Sequence, residues 1–139
     1  MENDIISFVE ESKVQYGKIN SYKDLLVWQK SMELVKCIYA LSTRLPENEK
    51  FGLTSQIRRA AVSVPSNIAE GWGMAVTGNY IHHLKISFGS LCEVETQLIL
   101  IIELNFVTQE ESAKVKSLIY ETGKMLKSLM IALEQKIKN

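Results

Sequence analysis

After residue 20, apolar side chains recur every three or four residues along nearly all of this chain, and this periodicity constrains its fold most strongly. Trp28, Met32, Val35 and Tyr39 form the first such series. Only two prolines and seven glycines occur in 139 residues, so the repeats can run as long helices. No stretch shows sustained alternation of apolar and polar residues. The pattern predicts an all-α fold of four helices.

Capping and turn residues set the limits of the first two helices. Ser21, with Asp24 three residues later, forms a loose capping box and is predicted to open the first helix. Pro46 ends it, because the residue before a proline disfavours helical geometry. The second helix is predicted over about residues 53–72, and glycines at 71 and 73 are expected to end it.

The third and fourth helices are separated by a short turn. The third is predicted over about residues 79–105, and Thr108 with Glu111 forms a capping box that opens the fourth. Loops this short force neighbouring helices to run antiparallel. We therefore predict an antiparallel up-down-up-down four-helix bundle.

The first twenty residues differ from the rest of the chain. They contain four apolar side chains close together: Ile5, Ile6, Phe8 and Val9. These suffice for one short helix, but four acidic residues against two lysines indicate a loosely held arm. We predict an N-terminal arm over residues 1–20 and a bundle domain over residues 21–139.

Charge and composition restrict the classes of function. Sixteen Lys and Arg balance sixteen Asp and Glu, which argues against a polyanion binder of uniformly basic surface and leaves only a local patch. The acidic start, Met-Glu-Asn-Asp, does not resemble a signal or transit peptide, and no apolar run reaches the ~20 residues that span a bilayer. We expect a cytoplasmic protein without membrane contact.

The helices carry more apolar surface than a monomer buries. A second stripe of the first helix, from Val27 to Leu41, lies beside the Trp28 series, and together they cover about 180° of the helix. Residues 98–102 of the third helix are apolar on every side. We therefore predict that copies of the chain pack together through helices one and three.

One passage resembles the signature of a known family. It runs Gln-Ile-Arg-Arg-Ala-Ala-Val-Ser-Val-Pro-Ser-Asn-Ile-Ala-Glu-Gly over residues 56–71. Further matching pieces stand in the same order at residues 25–30, 45–46, 51–53, 89–98 and 104–106. Over about residues 21–135 the chain resembles the bacterial four-helix-bundle proteins named for the intervening sequences of 23S ribosomal RNA genes. It departs from them at Met74, where the family usually carries a basic residue.

The resemblance implies a bundle that assembles as a five-fold ring, a homopentamer, with no established enzymatic activity. A related branch, the accessory variability proteins of diversity-generating retroelements, shares the fold and the pentameric state. Members of that branch bind nucleic acid and a reverse transcriptase and are strongly basic. The neutral charge of this chain weighs against that branch.

Helix two carries a polar stripe at helical spacing, made of Gln56, Arg59, Ser63, Asn67 and Glu70. It is either a binding ridge or a structural seam whose members bond one another between helices or subunits. We favour the seam. Arg58 lies on the opposite flank and needs a partner or an outward path for its guanidinium.

Glu95 is predicted to lie inside the apolar face of helix three. A buried carboxylate needs a partner or must stay protonated, and Arg58 or Arg59 is the candidate. No second carboxylate, histidine or nucleophile accompanies it at a recognisable spacing, so no catalytic residue is predicted.

The remaining reactive side chains indicate no metal or cofactor site. His82 and His83 are adjacent and point about 100° apart on a helix, so they cannot chelate one ion together. Cys37 and Cys92 make neither a disulfide framework nor a zinc site. The sequence lacks a phosphate-binding glycine loop and the HExxH pattern. We predict a protein that is not an enzyme and has no cofactor.

The outer face of helix four is the candidate nucleic-acid surface. Lys116, Tyr120, Lys124, Lys127 and Lys138 fall within about 80° of one another on the helical wheel. Lysines with an interleaved aromatic suit phosphate contact and base stacking, although an ordinary solvated face has the same composition. We expect binding to structured RNA or another nucleic acid, with a protein-interaction scaffold as the alternative.

Overall fold

A computed structural model describes residues 19–138 of the chain, and in this part it is helical throughout, with no strand. The four long helices are α1 (Leu26–Ser42), α2 (Leu53–Gly73), α3 (Thr77–Glu103) and α4 (Ala113–Lys138). Two 3-10 turns, Tyr22–Asp24 and Glu47–Glu49, precede α1 and α2. The predicted arm over residues 1–20 lies outside the described residues except for its last two.

The helices form the predicted four-helix bundle. Each helix packs on the next one in the chain, and α4 packs back on α1, which closes the bundle with up-down-up-down topology. The α2–α3 contact is the most extensive, and the contacts of α4 with α3 and with α1 are both much smaller.

The Ser21 capping box is present, but it caps a different element from the one predicted. The Ser21 hydroxyl accepts from the Lys23 amide at 3.1 Å, and the Asp24 carboxylate accepts from the Ser21 amide at 3.2 Å. The box holds the 3-10 turn, because Leu25 then adopts an extended conformation (φ −75°, ψ 126°) before α1 begins. Ser21 therefore caps the 3-10 turn Tyr22–Asp24, and the prediction that it opens the first long helix is wrong.

The second capping box leads into α4 as predicted. The Glu111 amide donates to the Thr108 hydroxyl and the Thr108 amide donates to the Glu111 carboxylate, both at 3.1 Å. Hydrogen bonds to the Glu111 carboxylate from the Thr108 amide, above all, and from the Thr108 side chain lower the pKa of Glu111, and Arg44 forms an ion pair with the same carboxylate. The Arg44–Glu111 ion pair thus links the segment that leads into α4 to the segment that follows α1.

Gly71 and Gly73 were predicted to end α2, but the structure keeps both of them inside the helix. Gly71 remains helical and buried, since α3 crosses directly over it: a Cβ there would lie 2.7 Å from the Cβ of His83. The residue in the left-handed region is Ala75, at φ 60°. After the end of α3, Asn105 adopts the left-handed conformation, at φ 62°. Asparagine tolerates this conformation better than most residues do.

The core of α1 is formed by one of its two predicted stripes. Val27, Leu34, Ile38 and Leu41 are buried. In the other series, Trp28, Met32 and Val35 are half-buried and Tyr39 is exposed. Elsewhere the largest fully buried side chains include Ile57, Ile68, Leu84, Leu98, Ile101 and Leu126.

The apolar run 98–102 splits between core and surface. Leu98 and Ile101 are buried, but Ile99 is 48% exposed and Leu100 is 43% exposed. A single chain therefore leaves part of this run uncovered. No helix within residues 19–138 is long and apolar enough to cross a membrane.

Candidate nucleic-acid interface

The lysines predicted to share the outer face of α4 all lie on the surface. Lys116, Lys124 and Lys127 are exposed, and Tyr120 between them is 71% exposed. Lys138, in the last turn, is exposed as well. At 1.5 Å per residue, the row from Lys116 to Lys127 extends over about 16 Å. We call Lys116, Tyr120, Lys124 and Lys127 the lysine row.

Charge on α4 is unbalanced although the chain as a whole is neutral. The helix holds six lysines against two glutamates, Glu121 and Glu134. Both glutamates are paired with lysines of other helices, at 3.1 Å to Lys30 and 3.9 Å to Lys85. No carboxylate within residues 19–138 pairs with a member of the lysine row, so its positive charge is available to a polyanion.

Neutral neighbours hold two of these lysines. The Lys116 ammonium donates to the side-chain oxygen of Gln109 in the loop before α4. The Lys127 ammonium lies 5.1 Å from the centre of the Phe88 ring on α3, a cation–π contact across the helix pair. Both contacts leave the formal charge uncompensated.

A groove of about 750 Å³ separates α3 from α4 beside the lysine row. Its apolar lining includes Phe88 and Leu91 from α3 and Ile119, Met125 and Ile131 from α4. Tyr120, Lys124 and Lys127 line the same groove from α4. We call this the α3–α4 groove; the sequence reasoning identified its lysines and missed its apolar floor.

Gly123 lies on α4 at a point where this helix lines the groove. A Cβ at this position would lie 3.3 Å from Leu91 and 3.8 Å from Phe88, so the missing side chain adds to the space between the helices. A glycine in the middle of an otherwise helical pattern is the one sequence signal for this feature, since it weakens the helix and usually serves packing or function.

The predicted position of Glu95 is wrong. The structure places it on the surface at the wall of the α3–α4 groove, with neither arginine of α2 as a partner. The buried face of α3 centres on Val94 and Leu98, toward α2, and Glu95 lies about 80° around the helix from that centre. Because α4 stands further away, this flank of α3 stays open to solvent.

Part of the polar stripe of α2 forms a hydrogen-bonded seam with α3. The Ser63 and Ser90 hydroxyls lie 2.8 Å apart, and the Asn67 amide donates to the Ser63 hydroxyl at 3.0 Å. The Asn67 oxygen lies 3.1 Å from Nδ1 of His83. Gln56 extends the seam more weakly, accepting from Gln97 at 3.4 Å.

The other stripe residues do not join this seam. Arg59 and Glu70 are exposed, and neither has a hydrogen-bond or ion-pair partner within residues 19–138, so they do not join a seam between helices of one chain. Their place in a seam between subunits stays a prediction. Arg58, on the opposite flank, finds a partner in α1: its Nε donates to the Ser42 hydroxyl at 2.8 Å. Its guanidinium stacks 4.7 Å from the ring of Tyr39.

The histidines and cysteines lie apart. The His82 and His83 rings stand 5.8 Å apart at 74°, and no three His, Cys, Asp or Glu side chains of the described chain cluster as a metal site would require. Cys92 is exposed on the α3–α4 groove and Cys37 is half-buried on α1. The Tyr80 hydroxyl is buried against α2, which raises its pKa by desolvation.

The family model for the 23S rRNA-intervening sequence protein matches residues 23–128 of this chain. The chain belongs to that family. A crystal structure of a protein of unknown function from the S23 ribosomal protein family of Bacteroides thetaiotaomicron VPI-5482 is similar in fold, with a TM-score of 0.70. It is 28% identical over 76% of this chain and 98% of the other. No curated protein matches the sequence.

The family match spans all of the α2–α3 seam and most of the lysine row's helix. It begins at residue 23 and ends at residue 128, just beyond Lys127. Met74, where the sequence resemblance led us to note a departure, is exposed at the end of α2.

Proposed function

We propose that this family member is a non-enzymatic, self-associating protein that binds structured RNA through the lysine row of α4. The observation that carries the proposal is the charge arrangement on that helix. Three exposed lysines without carboxylate partners in residues 19–138 flank an exposed tyrosine, on a chain with no net charge. Phosphate attraction is then confined to one face of the bundle.

The residue types of the lysine row determine which parts of an RNA it contacts. Lysine is a flexible point charge, so Lys116, Lys124 and Lys127 contact phosphates and position the RNA without selecting a base. Tyr120 offers an open ring face on which an unpaired base stacks. The row therefore favours folded RNA with exposed loop or bulge nucleotides next to a duplex.

Self-association would place several lysine rows on one particle, so that weak contacts between single rows and RNA act together. Tyr39 on α1 and Ile99 and Leu100 on α3 leave apolar surface exposed that a second copy can cover. We propose that copies assemble through α1 and α3, as the pentamer that the sequence resemblance implies. Five rows on one particle would bind a long RNA with avidity.

A gel-shift titration with one structured RNA at two salt concentrations tests the RNA contact. Replacing Lys116, Lys124 and Lys127 together by Ala should weaken binding about equally for unrelated sequences and reduce the salt slope by about 2–3. The matched control replaces three exposed lysines away from the row: Lys23, Lys36 and Lys50. Equal effects of the two triple variants would refute a specific role for the row.

Light scattering tests the assembly. Leu100→Glu places a charge on the exposed apolar part of α3 and should split the assembly into 15.8 kDa chains or smaller oligomers. The wild-type protein running as a stable monomer in dilute solution would overturn self-association and leave RNA binding to be judged by the gel shift alone.

A protein-interaction scaffold is the second candidate, and the α3–α4 groove favours it. Its lining is mostly apolar, which suits a protein side chain better than a phosphate. If the triple lysine variant binds RNA as tightly as the parent, the scaffold function becomes the better account.

A further inference from the structure

The α3–α4 groove carries one unpaired acidic side chain beside the lysines of its rim. Two carboxylates, Glu95 and Glu121, line it. Glu121 forms an ion pair with Lys30 at 3.1 Å, whereas Glu95 has no hydrogen-bond or ion-pair partner within residues 19–138. A carboxylate at this place repels phosphate, so it opposes a surface that contacts only the RNA backbone. The groove therefore suits an occupant that offers hydrogen-bond donors to Glu95.

The packing of α3 against α4 determines which residue of α4 faces Glu95. The Lys127 ammonium lies 5.1 Å from the centre of the Phe88 ring, so these two residues stand at the same height of the bundle. Glu95 lies two helical turns along α3 from Phe88, and Tyr120 lies two turns back along α4 from Lys127. Because the two helices run antiparallel, both steps lead about 10 Å in the same direction. Glu95 and Tyr120 therefore face each other across the groove.

The groove has the space and the apolar floor that a nucleobase requires. Its volume of about 750 Å³ lies within the usual range of small-molecule sites. Leu91 and Ile119 are buried at its floor, and Gly123 adds space because it has no side chain. Tyr120 is largely exposed at the rim, so its ring face is open to stacking. One flat aromatic base fits on this ring and above this floor.

The hydrogen-bonding groups of the bases decide which base Glu95 selects. An ionised carboxylate accepts hydrogen bonds through two oxygens and donates none. Guanine is the base whose Watson–Crick edge carries two adjacent donors, N1–H and the N2 amino group. On adenine, cytosine and uracil an acceptor atom lies next to the donor on that edge and repels one carboxylate oxygen. An unpaired nucleotide leaves this edge open to a protein side chain.

We propose that the α3–α4 groove binds the guanine of an unpaired nucleotide in RNA, with Tyr120 stacked on the base and Glu95 accepting from N1–H and the N2 amino group. The inference rests on the proposed function, because the lysine row supplies the phosphate contacts. Lys116 and Lys124 each lie about 6 Å from Tyr120 along α4, in opposite directions. Lysines on both sides favour a nucleotide within a strand over a free nucleotide, whose phosphate lies on one side only.

Four RNA hairpins that differ only in one bulged nucleotide, G, A, C or U, test the site in gel-shift titrations at one salt concentration. The parent protein should bind the G hairpin at least about fivefold more tightly than the others, as a bidentate contact to a base predicts. Glu95→Gln should remove this preference, since an amide carries one donor and one acceptor and matches the edge of any base. Glu93→Gln removes the same charge at an exposed position outside the groove lining and should retain it.

A second measurement contains no RNA. In the Cys37→Ser protein, Cys92 is the single remaining cysteine, and its exposed thiol lines the groove. Guanosine 5′-monophosphate should slow alkylation of Cys92 by a maleimide at a concentration at least about fivefold lower than adenosine 5′-monophosphate requires. Glu95→Gln should abolish this difference between the two nucleotides.

The outcomes separate the guanine site from the RNA contact of the lysine row. Equal binding of the four hairpins by the parent, or a guanine preference that survives Glu95→Gln, would overturn the guanine site and leave the RNA contact in place. Protection by guanosine 5′-monophosphate without binding of any hairpin would overturn RNA as the source of the nucleotide, and with it the proposed function. If no hairpin binds and neither nucleotide protects Cys92, both proposals fail.

Discussion

Replacing Gly71 by Ala tests the closest approach between α2 and α3. The new Cβ would lie 2.7 Å from the Cβ of His83, 3.1 Å from the ring of Tyr80 and 3.2 Å from its backbone oxygen. Two of these three atoms cannot move without shifting α3 itself. Overpacking of this kind costs about 1–3 kcal/mol, against a gain of at most about 1 kcal/mol from helix propensity. We expect the free energy of unfolding to fall by about 1–2 kcal/mol.

Gly89→Ala is the matched control. Gly89 lies in the middle of α3, and a Cβ there would meet nothing within 4 Å, so only the propensity gain remains. Its free energy of unfolding should rise by about 0.5–1 kcal/mol. Urea unfolding followed by circular dichroism at one protein concentration compares the two variants. A Gly71→Ala protein as stable as Gly89→Ala would refute the tight α2–α3 packing.

Three further predictions concern single side chains. The Thr122 hydroxyl is fully buried with no hydrogen-bond partner in the described chain, so Thr122→Val should raise the free energy of unfolding by about 1 kcal/mol in a urea titration. Glu95→Ala should change it by less than about 0.5 kcal/mol, because the carboxylate is exposed; a larger loss would indicate a hidden partner. The folded-state pKa of Glu111 lies below its ordinary value of 4.5, so the stability that it contributes is complete above that pH and is lost as the pH falls through the folded pKa. Urea midpoints of the parent and Glu111→Gln should therefore converge on acidification, and a constant difference would contradict this.

The secondary structure and the bundle topology follow from local properties of the sequence. Helical spacing of apolar residues and the capping box of Thr108 act within a few residues, where hydrogen bonds and side-chain directions are fixed by the helix itself. Short loops then leave antiparallel packing as the accessible arrangement. The predicted limits of α2, about residues 53–72, differ from the observed Leu53–Gly73 by one residue.

The positions that sequence reasoning assigned wrongly depend on the distance between helices. The helical wheel gives α1 two apolar stripes and places Glu95 within an apolar face, but it does not include the neighbouring helices. The structure buries the stripe from Val27 to Leu41. It leaves Glu95 in solvent, because α3 packs closely on α2 and makes a smaller contact with α4.

The sequence by itself determined the helices, their order and the lysine row, since each depends on spacing along one helix. Only the tertiary structure decided which polar residues of α2 meet α3 and that a groove opens beside Lys124 and Lys127. Ser63 and Asn67 bond across the α2–α3 seam while Arg59 and Glu70 of the same stripe remain in solvent. The physical reason is that hydrogen bonds and packing act over a few ångströms, so they depend on how closely two helices approach.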